Sequence, residues 1–130
     1  MPTITFPNSK PYDPIDNRPY AAVALLHGAR KSPTFPCLVD TGSDFIVLPT
    51  SAASLIGLPL SGTKKTYRGV TGSASFDFEI GLQVDVEGCV ITTDVLFAPT
   101  ATVGFVPILG RVAILAAFDL GFNVSDWLWT

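Results

Sequence analysis

The sequence predicts an all-β fold with one or two short helices, and three observations carry that expectation. Gly and Pro stand at 11 each in 130 residues, so turns interrupt the chain often and short strands fit better than long helices. Leu82-Gln83-Val84-Asp85-Val86-Glu87 alternates apolar and polar with period two, the mark of a strand with one buried face. The chain is also 48% hydrophobic and 15% charged, which suits one compact domain with a single sizeable core.

Taken in order, residues 1–19, broken by Pro2, Pro7, Pro11, Pro14 and Pro19, read as an extended arm in which Thr3 to Phe6 is a candidate edge strand. Residues 20–130 make up the domain. Tyr20 to His27 is a strand, Gly28 to Pro33 a turn, Thr34 to Val39 a returning strand and Phe45 to Leu48 another. Ser51 to Leu58 reads as a short helix with Ser51 as its N-cap and Gly57 near its end. Lys64 to Arg68 and Ser75 to Ile80 are strand-like runs around Gly69-Val70-Thr71-Gly72-Ser73, a tip suited to a hairpin. Leu82 to Glu87 is the alternating strand, Gly88 turns it, and Cys89 to Phe97 returns. A Pro/Thr/Ala loop leads to Val106 to Arg111, a short apolar helix from about Val112 to Phe118, and a tail strand within Phe122 to Thr130. No repeat of solenoid period is present.

Charge and composition narrow the function classes. A net charge of −3 leaves no basic footprint for nucleic acid, and Arg30-Lys31 and Lys64-Lys65 read as solvated turn and strand-edge positions. Residues 1–19 are polar and proline-broken, unlike a secretory signal. The longest apolar stretches, Ala21 to Leu26 and Val112 to Phe118, are too short to span a bilayer. The expectation is therefore a cytoplasmic protein with no membrane or nucleic-acid partner. Cys37 and Cys89 read as reduced core residues. With His27 as the single histidine, they form no metal set, and neither a metal nor a cofactor is expected. His27, beside the turn at Gly28, is given no role.

The informative segment runs from Cys37-Leu38-Val39-Asp40-Thr41-Gly42-Ser43-Asp44 into Phe45-Ile46-Val47-Leu48-Pro49. It sets a carboxylate at the end of an apolar strand, on a tight turn, with a second apolar strand behind. A buried, unpaired charge is strongly disfavoured, so such a placement points to chemistry. Asp-Thr-Gly-Ser alone is also ordinary turn chemistry, in which Asp and Ser bond nearby backbone and Gly supplies a positive φ. The apolar flanks argue against a turn lying free in solvent.

Leu38-Val39-Asp40-Thr41-Gly42-Ser43, the hairpin tip Gly69 to Ser73 and Ile108-Leu109-Gly110-Arg111 follow one another in the order found in the retropepsin-like aspartic proteases, the single-domain relatives of pepsin. The chain resembles that family over residues 20 to 118. The Asp-Thr-Gly-Ser and Ile-Leu-Gly-Arg elements together carry the resemblance, and the hairpin adds the least. The resemblance implies a closed or orthogonal β-barrel of the acid-protease type, a homodimer, and hydrolysis of peptide bonds in protein or peptide substrates. In this chemistry two carboxylates about 3 Å apart share one proton. The ionised one activates water and the protonated one polarises the scissile carbonyl.

Asp40 alone among the aspartates has the Thr-Gly context, so the second carboxylate has to come from another copy across a twofold axis. Matching positions give the other implied roles. Thr41 hydrogen-bonds across the axis, Gly42 lets the substrate backbone approach, and Ser43 either donates to the carboxylate or is a simple turn residue. Asp44 pairs with Arg111, or stays a solvated turn acid. Ile108, Leu109 and Gly110 pack behind the catalytic loop. Gly69, Val70, Thr71, Gly72 and Ser73 form the flap, although Arg68 and Thr71 make this tip more polar than retroviral flaps. The arm reads as a processing segment, a linker or an edge strand. Trp127 and Trp129 in the tail suit either a dimer interface or the monomer's own core. The competing function is a non-catalytic dimerisation or peptide-binding module on the same fold, and a third is an unrelated β-barrel in which the motif recurs by chance.

Overall fold

The computed structural model describes residues 10–69, 72–99, 106–113, 120, 122–123 and 128–129. Among them the chain is mostly β. The strands are β1 (Lys10–Pro11), β2 (Tyr20–His27), β3 (Arg30–Lys31), β4 (Phe35–Val39), β5 (Ile46–Pro49), β6 (Lys64–Gly69), β7 (Gly72–Val86), β8 (Cys89–Ala98), β9 (Ile108–Leu109), β10 (Phe122–Asn123) and β11 (Leu128–Trp129), with one helix, α1 (Thr50–Leu55), after β5. Residues 111–113 are helical as well. Thr3 to Phe6, the hairpin tip Val70 and Thr71, the loop 100–105, residues 114–118 of the second expected helix and Trp127 lie outside the described residues.

The main sheet has the order β3-β2-β4-β9-β5-β8-β7-β6, and a further pairing of β2 with β7 joins its strands into a ring. The main core cluster includes Leu25, Ile46, Leu48, Val84, Val95 and Phe97 from these strands, together with Ala52, Ala53 and Ile56 from the region of α1. Complete burial of such a side chain contributes roughly 1.5–3 kcal/mol. β5 is buried at all four positions, because the period-two alternation of a strand gives both of its faces a core. Ile46 and Leu48 belong to the main cluster, whereas Val47 joins Phe78, Leu96 and Ala98 in a second cluster with Phe45, Phe76 and Ile108 against it.

Several expected boundaries move for identifiable reasons. The expected turn over residues 28–33 is shorter, since Arg30 and Lys31 pair back with His27 and Leu26. The buried Ser32 extends that hairpin, with its N–H donating to Leu25 O at 2.9 Å and its Oγ accepting from Leu25 N at 2.8 Å. Ser51 is not the N-cap of α1. Pro49 stands there in extended conformation with no side-chain cap bond, because β5 runs directly into the helix. Gly57 does end it, at φ +70°. Gly57 N–H donates to Ser54 O at 3.2 Å and Leu58 N–H to Ala53 O at 3.0 Å, the paired bonds of a Schellman motif.

The two strands expected either side of Gly81 are one strand, β7, with a register shift between Glu79 and Leu82. Gly81 takes φ +69° there, and its N–H donates to Asp94 Oδ1 at 3.0 Å. The tail is two short strands, and β11 pairs with β10 on one side and with β1 on the other. The second half of the arm does not simply run extended either. Asp13 to Arg18 folds into a turn closed by Asp13 N–H to Arg18 O at 2.9 Å and Asn17 N–H to Asp13 O at 2.8 Å.

Candidate active site

Asp40 directly follows β4, and the pairing of β4 with β9 fixes its position. Leu38 and Val39 lie in parallel register with Ile108 and Leu109. Leu38 N–H donates to Pro107 O at 2.8 Å, and Asp40 N–H extends the ladder to Leu109 O at 3.1 Å. On its other side β9 touches β5 antiparallel, Val47 against Ile108. The strand from the far end of the chain is thus inserted between the two strands that the Asp40 turn connects, and the turn bridges over its end.

The turn is tied down at both ends. Ser43 N–H donates to Asp40 O at 3.2 Å, and Gly42 N–H to Asp40 Oδ1 at 2.9 Å. Residues 111–113 begin a helical turn whose first N–H groups have no partner within it; Arg111 N–H donates to Ser43 O at 2.7 Å and Val112 N–H to Asp44 O at 2.8 Å. Asp44 and Arg111 also meet through their side chains, Nη2 to Oδ1 at 2.7 Å, with both about half exposed. The contact is single rather than bidentate.

The geometry assigns definite surroundings to the remaining residues. Gly42 does not adopt a positive φ; a Cβ there would lie 3.2 Å from Asp40 Oδ1, so its want of a side chain matters for space beside the carboxylate and not for the turn. Ser43 Oγ donates to Phe45 O at 3.4 Å, and not to Asp40. Thr41 is exposed, Asp40 half-buried, Leu109 and Gly110 buried, and Ile108 half-buried. Gly110 packs on the backbone of Phe45: a Cβ there would lie 2.6 Å from the Phe45 carbonyl carbon and 2.7 Å from its nitrogen, and closer still to its oxygen.

The hairpin is longer than its sequence implied. β6 and β7 pair from Lys64 with Asp77 out to Gly69 with Gly72, so Ser73 belongs to a strand, opposite Arg68, rather than to the tip. At the base of the hairpin Lys64 pairs with Asp77 at 2.7 Å. Lys65, read from sequence as a solvated strand-edge residue, is half-buried, with its ammonium over the rings of Phe45 and Phe78. Nothing local in the sequence marks that cluster, because its three members meet only through strand pairing.

The two cysteines differ. Cys37 is wholly buried, and burial pushes its thiol up to about 12. Cys89 is exposed, contrary to its expected core position, because it follows the Glu87-Gly88 turn at the end of a hairpin that outruns the core. Among the described residues no three His, Cys, Asp or Glu side chains are grouped to hold a metal ion, and no helix is long and apolar enough to cross a membrane.

No protein-family model matches this chain, and a search of curated proteins finds no match.

Proposed function

We propose that the chain is an aspartic endopeptidase of the retropepsin-like type, working as a homodimer in which Asp40 and Asp40 of a second copy form the catalytic dyad. The observation that carries this reading is the construction of the Asp40 turn. Its carboxylate stands at the end of β4, is held by Gly42 N–H at 2.9 Å and is half exposed. Its backbone is braced from two sides by β9 and by residues 111–112. The six-strand ring of pairings through β2, β4, β9, β5, β8 and β7 supports reading the domain as a closed barrel of the acid-protease type.

In this reaction the ionised carboxylate of the dyad takes a proton from water, whose oxygen adds to the scissile carbonyl carbon. The protonated carboxyl hydrogen-bonds the carbonyl oxygen and gives up its proton as the tetrahedral intermediate forms. Collapse breaks the C–N bond as a proton passes to the leaving nitrogen. The two carboxyls titrate as a unit, so the rate follows the singly protonated pair. The β6–β7 hairpin acts as the flap that closes over the peptide and excludes water.

Sedimentation, combined with a peptide-library assay from acid to mildly alkaline pH, tests the reading on wild type and Asp40→Asn. The expected result is a dimer in both proteins and cleavage in the wild type alone. Cleavage by Asp40→Asn at the wild-type rate would overturn the assignment. A wild-type dimer that binds peptides and cleaves none would make the chain a non-catalytic peptide-binding module instead.

A further inference from the structure

Three of the four lysines have a carboxylate partner: Lys10 meets Glu87 at 2.6 Å, Lys31 meets Asp85 at 3.3 Å, and Lys64 meets Asp77 at 2.7 Å. Lys65 has none among the described residues. Its Nζ lies instead 4.7 Å from the ring centroid of Phe45 and 4.3 Å from that of Phe78, and the two rings meet edge to face at 5.3 Å. Aromatic faces attract an ammonium electrostatically, but they do not take the place of a carboxylate as acceptors for its three N–H donors. Among the described residues the cation is therefore held in place with no carboxylate on its donors, which leaves them for a further acceptor.

The position of this cluster gives it a use. Lys65 lies on β6, the first strand of the hairpin. Phe45 follows Asp44 in the Asp40 turn. Ile108, packed against the same apolar cluster, precedes the Leu109 carbonyl that accepts the Asp40 N–H. We infer that Lys65, Phe45 and Phe78 form a specificity subsite for an acidic side chain of the peptide substrate. The half-buried Phe45 ring takes the methylene part of a glutamate or aspartate, the buried Phe78 backs the lysine from beneath, and the ammonium takes the carboxylate. The inference rests on the reading that the hairpin covers a peptide bound at Asp40.

Peptides with amidated C-termini, so that only a side chain supplies the anion, are compared as Glu/Gln pairs at each position around the cleaved bond. The full chain is used as wild type, Lys65→Met, Lys65→Arg and Lys65→Glu, each checked for unchanged thermal unfolding. Wild type should favour Glu over Gln at one position by about two- to fivefold in kcat/KM, the scale of one partly screened ion pair. Lys65→Met, which keeps the apolar stem over the rings, should abolish the preference. Lys65→Arg should keep it, and Lys65→Glu should shift it to Lys.

Equal cleavage of all Glu/Gln pairs by wild type, or a preference that survives in Lys65→Met, overturns the subsite. Binding of the same peptides to Asp40→Asn, followed by fluorescence anisotropy, separates this outcome from failure of the protease reading. Preferential Glu binding lost in the Asp40→Asn, Lys65→Met double variant, with no cleavage by wild type, sinks the protease and keeps the subsite. Neither binding nor cleavage of any peptide sinks both.

Discussion

Arg111 reaches the Asp40 turn through both its main chain and its side chain. Its guanidinium Nη2 lies 2.7 Å from Asp44 Oδ1, and its own N–H donates to Ser43 O at 2.7 Å. The main-chain bond, together with Val112 N–H to Asp44 O, persists whatever side chain residue 111 carries. The ion pair is about half exposed at both partners, so water and salt screen it.

Removing the pair should therefore cost little stability and more activity. Arg111→Ala and Asp44→Asn should each lower the unfolding free energy by no more than about 1 kcal/mol, the range of exposed pairs. Their double-mutant coupling should be of the same size and shrink in high salt. Peptide cleavage should fall by about tenfold, chiefly in kcat, because the turn that aims Asp40 loses its side-chain brace. Denaturant titrations alongside kinetics check this, and a stability loss above about 3 kcal/mol would show that the pair holds the fold itself.

Gly110→Ala should behave in the opposite way. The added methyl would sit 2.6–2.7 Å from backbone atoms of Phe45, and backbone cannot rotate aside as a flexible side chain can. Overpacking of this kind costs typically 1–3 kcal/mol, and here it also pushes β9 away from the Asp40 turn. Gly42→Ala meets only the Asp40 carboxylate oxygen at 3.2 Å and carries no positive-φ penalty. It should leave the fold nearly intact and impair cleavage. Urea unfolding of the two variants separates the effects: Gly110→Ala should lose clearly more stability than Gly42→Ala.

The contrast between these two glycines shows what could be read from the chain alone. Strands were legible where a local signal existed, as in the alternation of Leu82 to Glu87 or the apolar run from Ile46. The turn at Asp40 was legible because its residues are contiguous. The reason for Gly110 was not, because its neighbour Phe45 is 65 positions away and meets it only after β9 inserts between β4 and β5. The nearness of Asp44 to Arg111 came from resemblance and not from spacing. Lys65 beside Phe45 and Phe78 had no signal at all, and Cys89 was misread because a strand at a hairpin end can outrun the core it belongs to.

The cysteines give a prediction independent of any catalytic reading. An alkylating reagent should modify one thiol, Cys89, in the native protein and both in denaturant, with Cys37 slower by orders of magnitude. Burial raises Cys37 from an ordinary value near 9 to about 12, so the folded state keeps its proton where the unfolded chain has lost it. The stabilisation is complete below about pH 9 and is lost as pH rises from there toward about 12. Stability of wild type should accordingly fall more steeply than that of Cys37→Ala over that window, followed by chemical denaturation. Parallel pH profiles for the two proteins would mean that the thiol is not shielded as the fold requires.

A dyad assembled from two copies also makes a prediction about mixtures. Asp40→Asn preserves the shape of the turn, since its side-chain oxygen can still accept from Gly42 N–H, so mutant and wild-type chains should associate alike. In an equilibrated equal mixture at fixed total protein, only wild-type homodimers hold two ionisable carboxyls, and chance pairing makes these roughly a quarter of all dimers. Activity should fall to about that fraction of the pure wild type, whereas a site complete within one chain would retain about half. Titrating Asp40→Asn into wild type and fitting activity against the wild-type fraction distinguishes a quadratic from a linear dependence. A linear dependence, with exchange of subunits verified by mixed labelled chains, would mean that Asp40 finds its catalytic partner inside its own chain, and the homodimeric dyad would have to be abandoned.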